Sequence, residues 1–265
     1  MNRSMWTAAT GMGAQQLNID VIANNLANVN TTGFKAERLE FKDLMYQQMK
    51  VANRQDEVGR PVNLEVGHGV MSSATMKKFE NGSLLDTGNT FDVALVGENA
   101  FFEIQLPNGE SRYTRDGSFK FSLDGEEITL TTSEGYTVLN NEGEGLKFET
   151  NLKDYSIDEA GNITAKNATN ESVALGQLKI VKFNNTKGLA AQGANLYAST
   201  VASGEALPLG EGDQVKVVSG YLESSNVRPV EEMVKLISAQ RAYELTSKAI
   251  STSDEMLQIA NNLRR

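Results

Sequence analysis

The chain is 265 residues long, with 40% hydrophobic and 22% charged side chains, a formal net charge of −9, one histidine and no cysteine. The missing cysteines exclude disulfides, thiolate metal sites and a cysteine nucleophile, and no apolar run approaches the roughly 20 residues that span a bilayer. Residues 1–35 and 226–265 each carry +1, which leaves −11 on the middle of the chain, a balance that disfavours nucleic acid or anionic lipid as a partner.

Residues 1–30 predict an amphipathic helix. Met5, Met12, Ile19 and Leu26 recur every seven residues, and Ala8, Ile22 and Val29 fill a second seam position, a coiled-coil-like stripe. The seam is soft, with Met and Ala early and Gln15 at a seam position, so the helix alone is expected to be marginal in water. Both chain ends are therefore expected to order only when neighbours bury their stripes. No apolar core or small-residue cleavage site follows Arg3, so the N-terminus does not read as a secretory signal. Gly33 is the expected helix stop, because it reaches the left-handed conformation without steric penalty. Asn24, Asn25, Asn28 and Asn30 crowd the end of the stripe. One such Asn reads as a cap. Four within seven residues favour a hydrogen-bonding edge between packed helices of neighbouring subunits.

Residues 36–50 predict a short helix on Leu39, Leu44 and Met45. Residues 51–70 are polar and Gly-punctuated, and read as an extended arm or loop. From about 71 to 224, short runs such as Phe101-Phe102-Glu103-Ile104 alternate with turn signals such as Pro107-Asn108-Gly109 and Asp124-Gly125, the pattern of antiparallel strands and hairpins. Residues 228–263 predict a second long helix. Pro229 suits its first turn, and Glu231 and Glu232 oppose the helix dipole there. Leu236, Tyr243, Ile250 and Leu257 recur every seven residues, and Leu245, Ala249, Met256, Ile259 and Leu263 form a second stripe. Two stripes imply packing on more than one side.

Little in the chain points to catalysis. His68, in Gly67-His68-Gly69, has no neighbour to orient it as a general base. Transition-metal sites need several His or Cys ligands, and no calcium-loop pattern occurs. Gly11-Met12-Gly13 follows no strand, so it is no phosphate loop. No pair among the 34 carboxylates is singled out for glycoside chemistry. No catalytic residue, metal or cofactor is expected.

Three groups of residues carry a family resemblance. Met5-Trp6-Thr7-Ala8-Ala9-Thr10-Gly11-Met12 with Asn24-Asn25-Leu26-Ala27-Asn28-Val29-Asn30-Thr31-Thr32-Gly33-Phe34-Lys35 resembles the N-terminus of bacterial flagellar rod and hook proteins. Gly88-Asn89-Thr90-Phe91-Asp92-Val93-Ala94-Leu95 and Tyr113-Thr114-Arg115-Asp116-Gly117-Ser118-Phe119 are similar to that family's β-domain signature. Gly220-Tyr221-Leu222-Glu223-Ser224-Ser225-Asn226-Val227, with Val230-Glu231-Glu232-Met233 and Ala239-Gln240-Arg241-Ala242-Tyr243-Glu244, is similar to its C-terminal region. Residues 130–215 carry little of the likeness. Ala100 departs from the Gly usual before Phe-Phe, and Pro229 lies at the C-terminal helix start. Leu222-Glu223-x-Ser225-Asn226-Val227 and the length are most similar to the family's distal rod members.

The expected fold is α+β. Terminal helices (1–35 with 226–265) form a coiled-coil-like inner domain, 36–72 a short helix and arm, and 73–225 an antiparallel β-rich outer domain. The resemblance implies a helically polymerising, non-enzymatic subunit of the distal rod, a hollow shaft that carries motor torque and passes exported subunits. It implies the chain itself, proximal rod proteins, the hook protein, the surrounding rings and the export apparatus as partners, with export without signal cleavage. The expected assembly interface is Met5, Met12, Ile19, Ile22, Asn24, Asn25, Leu26, Asn28, Val29, Leu236, Tyr243, Ile250 and Leu257. The alternatives are a proximal rod or hook subunit, or a secreted β-rich cell-wall-binding protein. The latter would expose an aromatic platform, yet the only tryptophan, Trp6, lies in the N-terminal helix pattern.

Overall fold

A computed structural model describes residues 3–50, 63–124, 127–148, 153–167, 171–210 and 214–263. The chain divides into two compact units, Met1–Ala27, Glu37–Met76 and Arg228–Arg265 in one, and Asn28–Ala36 with Lys77–Val227 in the other. The architecture is α+β, with two long helices and a β-rich centre.

The first unit holds α1 (Arg3–Ala27), β1 (Glu37–Asp43), β2 (Tyr46–Lys50), β3 (Leu64–Gly67), β4 (Val70–Lys77) and α2 (Pro229–Asn262). Residues 36–50 are therefore strands, and the short helix expected there is absent. In Glu37-Arg38-Leu39-Glu40-Phe41-Lys42 the apolar residues stand two apart, which suits a strand, and pairing of β1 with β4 supplies the ladder. β2 and β3 pair antiparallel, with Tyr46 opposite Gly67 and Gln47 opposite Val66. The expected arm thus has paired strands at its two ends, and its residues 51–62 lie outside the described residues. α2 begins as its sequence dictates, with Pro229 in the first turn, followed by Glu231 and Glu232.

The second unit holds β5 (Leu84–Asp86), β6 (Val93–Val96), β7 (Ala100–Gln105), β8 (Ser111–Thr114), β9 (Lys120–Asp124), β10 (Glu127–Thr131), β11 (Thr137–Val138), β12 (Lys147–Phe148), β13 (Lys153–Ile157), β14 (Asn162–Lys166), β15 (Ser172–Gln177), β16 (Ile180–Lys182), β17 (Ala190–Gly193), β18 (Leu196–Ala198), β19 (Leu207–Pro208), β20 (Lys216–Ser219) and β21 (Tyr221–Glu223). Its largest sheet runs β12-β10-β11-β7-β8-β18-β17, with β9 on β10, and with β16 joining β7 to β19. β7 is the central strand. Along one edge it pairs with β8, along the other with β11 and β16. Its side chains alternate between faces. Ala100, Phe102 and Ile104 enter the main core with Phe119, Leu130, Val138 and Ile163, whereas Phe101 joins Tyr113, Val181, Phe183 and Tyr197 on the opposite face. Both faces are covered, which explains the near-continuous apolar run of this strand.

Gly117 shows why a motif glycine is needed. A Cβ there would overlap the Val93 carbonyl oxygen, and the Gly117 carbonyl accepts from the Val93 N–H at 3.0 Å. Only a residue without a side chain permits that approach.

Candidate assembly surface

Within the first unit the two helices run antiparallel. Three contacts fix the pairing. The Ser253 hydroxyl lies 3.4 Å from that of Ser4, Thr246 Cγ2 lies 3.5 Å from where a Cβ on Gly11 would stand, and Asn25 Nδ2 donates to Glu232 Oε2 at 3.2 Å. The contacting positions step by seven or fourteen residues on each helix, upward on α1 and downward on α2. Of these seam residues, Asn25, Glu232 and Ser253 are buried, as is Ala239, which falls between Glu232 and Thr246 at the same spacing. These three contacts are made by small and polar side chains, which let the backbones come close. Gly11 and Ala239 provide room, and the hydroxyls and the Asn25–Glu232 pair provide hydrogen bonds.

Asn25 is 1% exposed and makes three hydrogen bonds. Besides bonding Glu232, its Nδ2 donates to Glu37 O at 2.8 Å and its Oδ1 accepts from Glu37 N at 2.8 Å. Glu232 in turn accepts from Lys235 Nζ at 2.6 Å. One side chain therefore fastens the end of α1, the first residue of β1 and the first turns of α2.

The expected interface residues fall into several environments. Ile22 is buried beside the seam. Met5, Met12, Ile19 and Leu26 are half-buried, each one position past a residue on the Ser4, Gly11 and Asn25 spacing. Leu236, Tyr243 and Ile250 are half-buried at the second seam position of α2, four residues after Glu232, Ala239 and Thr246. Leu257, on the same row, is exposed. Asn24 is exposed on α1. Asn28 and Val29 lie past the end of α1, in the turn that opens the second unit, where Asn28 Oδ1 accepts from the Thr31 hydroxyl at 3.2 Å.

The second stripe of α2 faces away from α1. Leu245, Met256, Ile259 and Leu263 are 59–82% exposed, on a row roughly 120° around the helix from the seam at ~100° per residue. Val230, Val234 and Ile237 add exposed apolar side chains near the start of α2, and Trp6 and Leu17 do so on α1. Scattered exposed apolar residues are ordinary, but aligned rows of large ones mark interaction surfaces.

The second unit joins the family-like motifs at one buried point. Glu223, 2% exposed, receives Lys35 Nζ at 2.7 Å on Oε1, which also accepts from Gly82 N at 2.8 Å. Its Oε2 lies 3.2 Å from Arg115 Nε, an ion pair in which neither atom makes a hydrogen bond. Arg115, 1% exposed, is held by the carbonyls of Gly97 and Ala100 at 2.8–3.0 Å and by Asn81 Oδ1 at 2.6 Å. Lys35 also donates to Glu80 O at 2.7 Å. Two buried cations thus share one carboxylate. Burial, and then repulsion from Arg115, bring the Lys35 pKa down to about 8 against the pull of Glu223, and burial lowers that of Arg115 as well. Sequence reading missed this node. Its signal was a lone cation inside each apolar motif, Phe34-Lys35 and Tyr113-Thr114-Arg115.

Among the described residues there is no cluster of His, Cys, Asp and Glu able to hold a metal, and no helix long and apolar enough to cross a membrane. Residues 5–35 match a family described as flagella basal body rod protein, residues 95–165 the flagellar hook protein FlgE/F/G D1 domain, and residues 218–263 the flagellar basal body rod FlgEFG protein C-terminal family. The chain is 48% identical to the flagellar basal-body rod protein FlgG of Borreliella burgdorferi over 100% of both chains. It is 42% identical to FlgG of Agrobacterium fabrum over 98% of each. With FlgG of Buchnera aphidicola subsp. Schizaphis graminum the identity is 40%, over 98% of this chain and 99% of the other.

Proposed function

Because the chain belongs to the flagellar basal-body rod protein family, we propose that it is a structural subunit of the distal rod. Copies stack helically into a hollow shaft that transmits motor torque to the hook and lets exported subunits through. The antiparallel α1–α2 pair acts as a coiled-coil-like assembly domain, which packs against the same pair in neighbouring copies. Its other partners are proximal rod proteins, the hook protein, the surrounding rings and the export apparatus. The protein works in the basal body, across the periplasm, and is exported without signal cleavage. It carries out no catalysis.

The observation that supports this most directly is the apolar row Leu245, Met256, Ile259 and Leu263. α2 already has its intramolecular partner on another face, so this row remains to be covered. Electron microscopy of the concentrated protein tests the reading. Tubes are expected from the unaltered chain and none from Leu245→Asp/Ile259→Asp. Tubes of unchanged form from that variant would remove α2 from the interface.

A further inference from the structure

Residues 28–36 are the first segment of the β-rich unit, and residues 220–227 are its last. The two segments are bonded directly to each other. Gly33 N donates to Glu223 O at 2.8 Å, and Ala36 N donates to Asn226 Oδ1 at 2.8 Å. Between them lies the Lys35–Glu223 ion pair at 2.7 Å. The partners advance together, 33 with 223 and 36 with 226, so the segments run parallel. A third segment crosses both. Lys78 N donates to Ala36 O at 2.8 Å, Asn226 Nδ2 donates to the carbonyls of Lys78 and Glu80 at 2.8 and 3.2 Å, and Gly82 N donates to Glu223. Arg115 ties Glu223 to the body of the unit.

We propose that this junction is a mechanical clamp, which carries force from one terminal segment to the other without passing it through the sheets. Tension on the chain ends pulls residues 28–36 toward residue 28 and residues 220–227 toward residue 227. For a parallel pair these are opposite directions along one line, so the junction is sheared. In shear its bonds share the force and break together, whereas unzipping breaks them one at a time. Burial adds resistance, because water cannot replace a bond as it stretches. Lys35 and Glu223 are 0% and 2% exposed. A shaft under torque needs subunits whose outer units stay folded when their ends are pulled. That use rests on the rod reading above, whereas the clamp is a property of the single chain.

Force spectroscopy on the full-length chain held by its two ends tests the clamp. The β-rich unit is expected to open in one step, and Lys35→Met is expected to raise its unfolding rate under constant force about tenfold or more. Asn226→Ala, which leaves the ion pairs in place, is expected to act in the same direction. Ile163→Val, in the main core and outside the junction, lowers stability without touching the clamp and is expected to leave the unfolding force unchanged. A second geometry needs no clamp variant. The chain has no cysteine, so Glu98→Cys with Asn184→Cys gives unique handles at one end of the antiparallel β7–β16 pair, where Lys182 faces Ala100. Pulling there unzips, and is expected to open the unit at lower force than pulling from the termini. Equal forces in the two geometries, or an equal loss of force in Ile163→Val and Lys35→Met, would overturn the clamp.

Discussion

Asn25 and Glu232 stand 207 residues apart in sequence and meet at 3.2 Å in the seam between the two terminal helices. Asn25 also satisfies both backbone groups of Glu37. Its replacement removes the hydrogen bonds to both part-buried Glu37 backbone groups and to Glu232, each worth about 0.5–1.5 kcal/mol. Asn25→Ala is therefore expected to lower the urea midpoint of the helical signal by more than a typical surface change. An unaltered midpoint would show that the seam is held elsewhere.

Among the described residues Glu223 is the buried carboxylate that pairs with both Lys35 and Arg115. Glu223→Gln leaves Lys35 and Arg115 buried without their ion-pair partner, the kind of loss that costs roughly 3–5 kcal/mol. Glu110→Gln breaks an ion pair to Arg112 in which Glu110 is 56% exposed, and is expected to cost at most about 1 kcal/mol. Thermal melts of the two variants should differ widely. Similar melts would mean that the node contributes no more than a surface pair.

The Lys35 pKa fixes the sign of a pH effect. In the folded chain it lies at about 8, below the ordinary 10.5. Below about pH 8 both folded and unfolded chains keep the proton. Between about 8 and 10.5 only the unfolded chain does, so deprotonation favours the folded state and this group makes stability rise with pH. Urea midpoints of the β-rich unit measured across that window are expected to rise relative to those of Lys35→Met. Parallel curves for the two proteins would refute the assignment.

The exposed row on α2 predicts a split between folding and assembly. Ile259→Asp touches no packed core, so the dissociated chain is expected to keep its stability within about 0.5 kcal/mol while losing assembly. Leu26→Ala and Ile250→Ala, both half-buried, are expected to impair assembly and leave the β-rich unit folded. Amide exchange adds a concentration test. Protection of residues 5–30 should be weak in dilute protein and rise on assembly. Strong protection at high dilution would contradict the marginal-helix reading.

Much of this was legible from local chemistry. Pro229 and the acids behind it placed the start of α2. Gly33 was not the helix stop it was expected to be: α1 ends at Ala27, and Gly33, with φ of 66°, supplies a left-handed residue in the turn that follows. The positions at which the two helices touch were not legible. Hydropathy weights Met5, Met12, Ile19 and Leu26, whereas close approach is decided by Gly11 and Ala239 and by polar pairs that hydropathy scores as surface. Glu232 read as a helix-dipole acid because its partner, Asn25, lies at the far end of the chain. Residues 36–50 were misread because the ladder that makes β1 a strand comes from β4. The order of the β-rich sheets was illegible for the same reason, since sheet pairing is set by tertiary neighbours rather than by the strand itself.

The pairing of β5 with β21 and of β6 with β20 sets how this unit reaches its native state. Leu85 faces Leu222 and Leu95 faces Val217, so the earliest strands of the unit wait for its latest ones. Contacts of such high sequence separation close large loops before they return any stabilisation, and they slow folding. For a chain that emerges N-terminus first, nearly the whole of residues 84–223 must be free before those first strands find their partners. The topology thus keeps the emerging polypeptide open, and delays the finished fold until its last fifth is in reach.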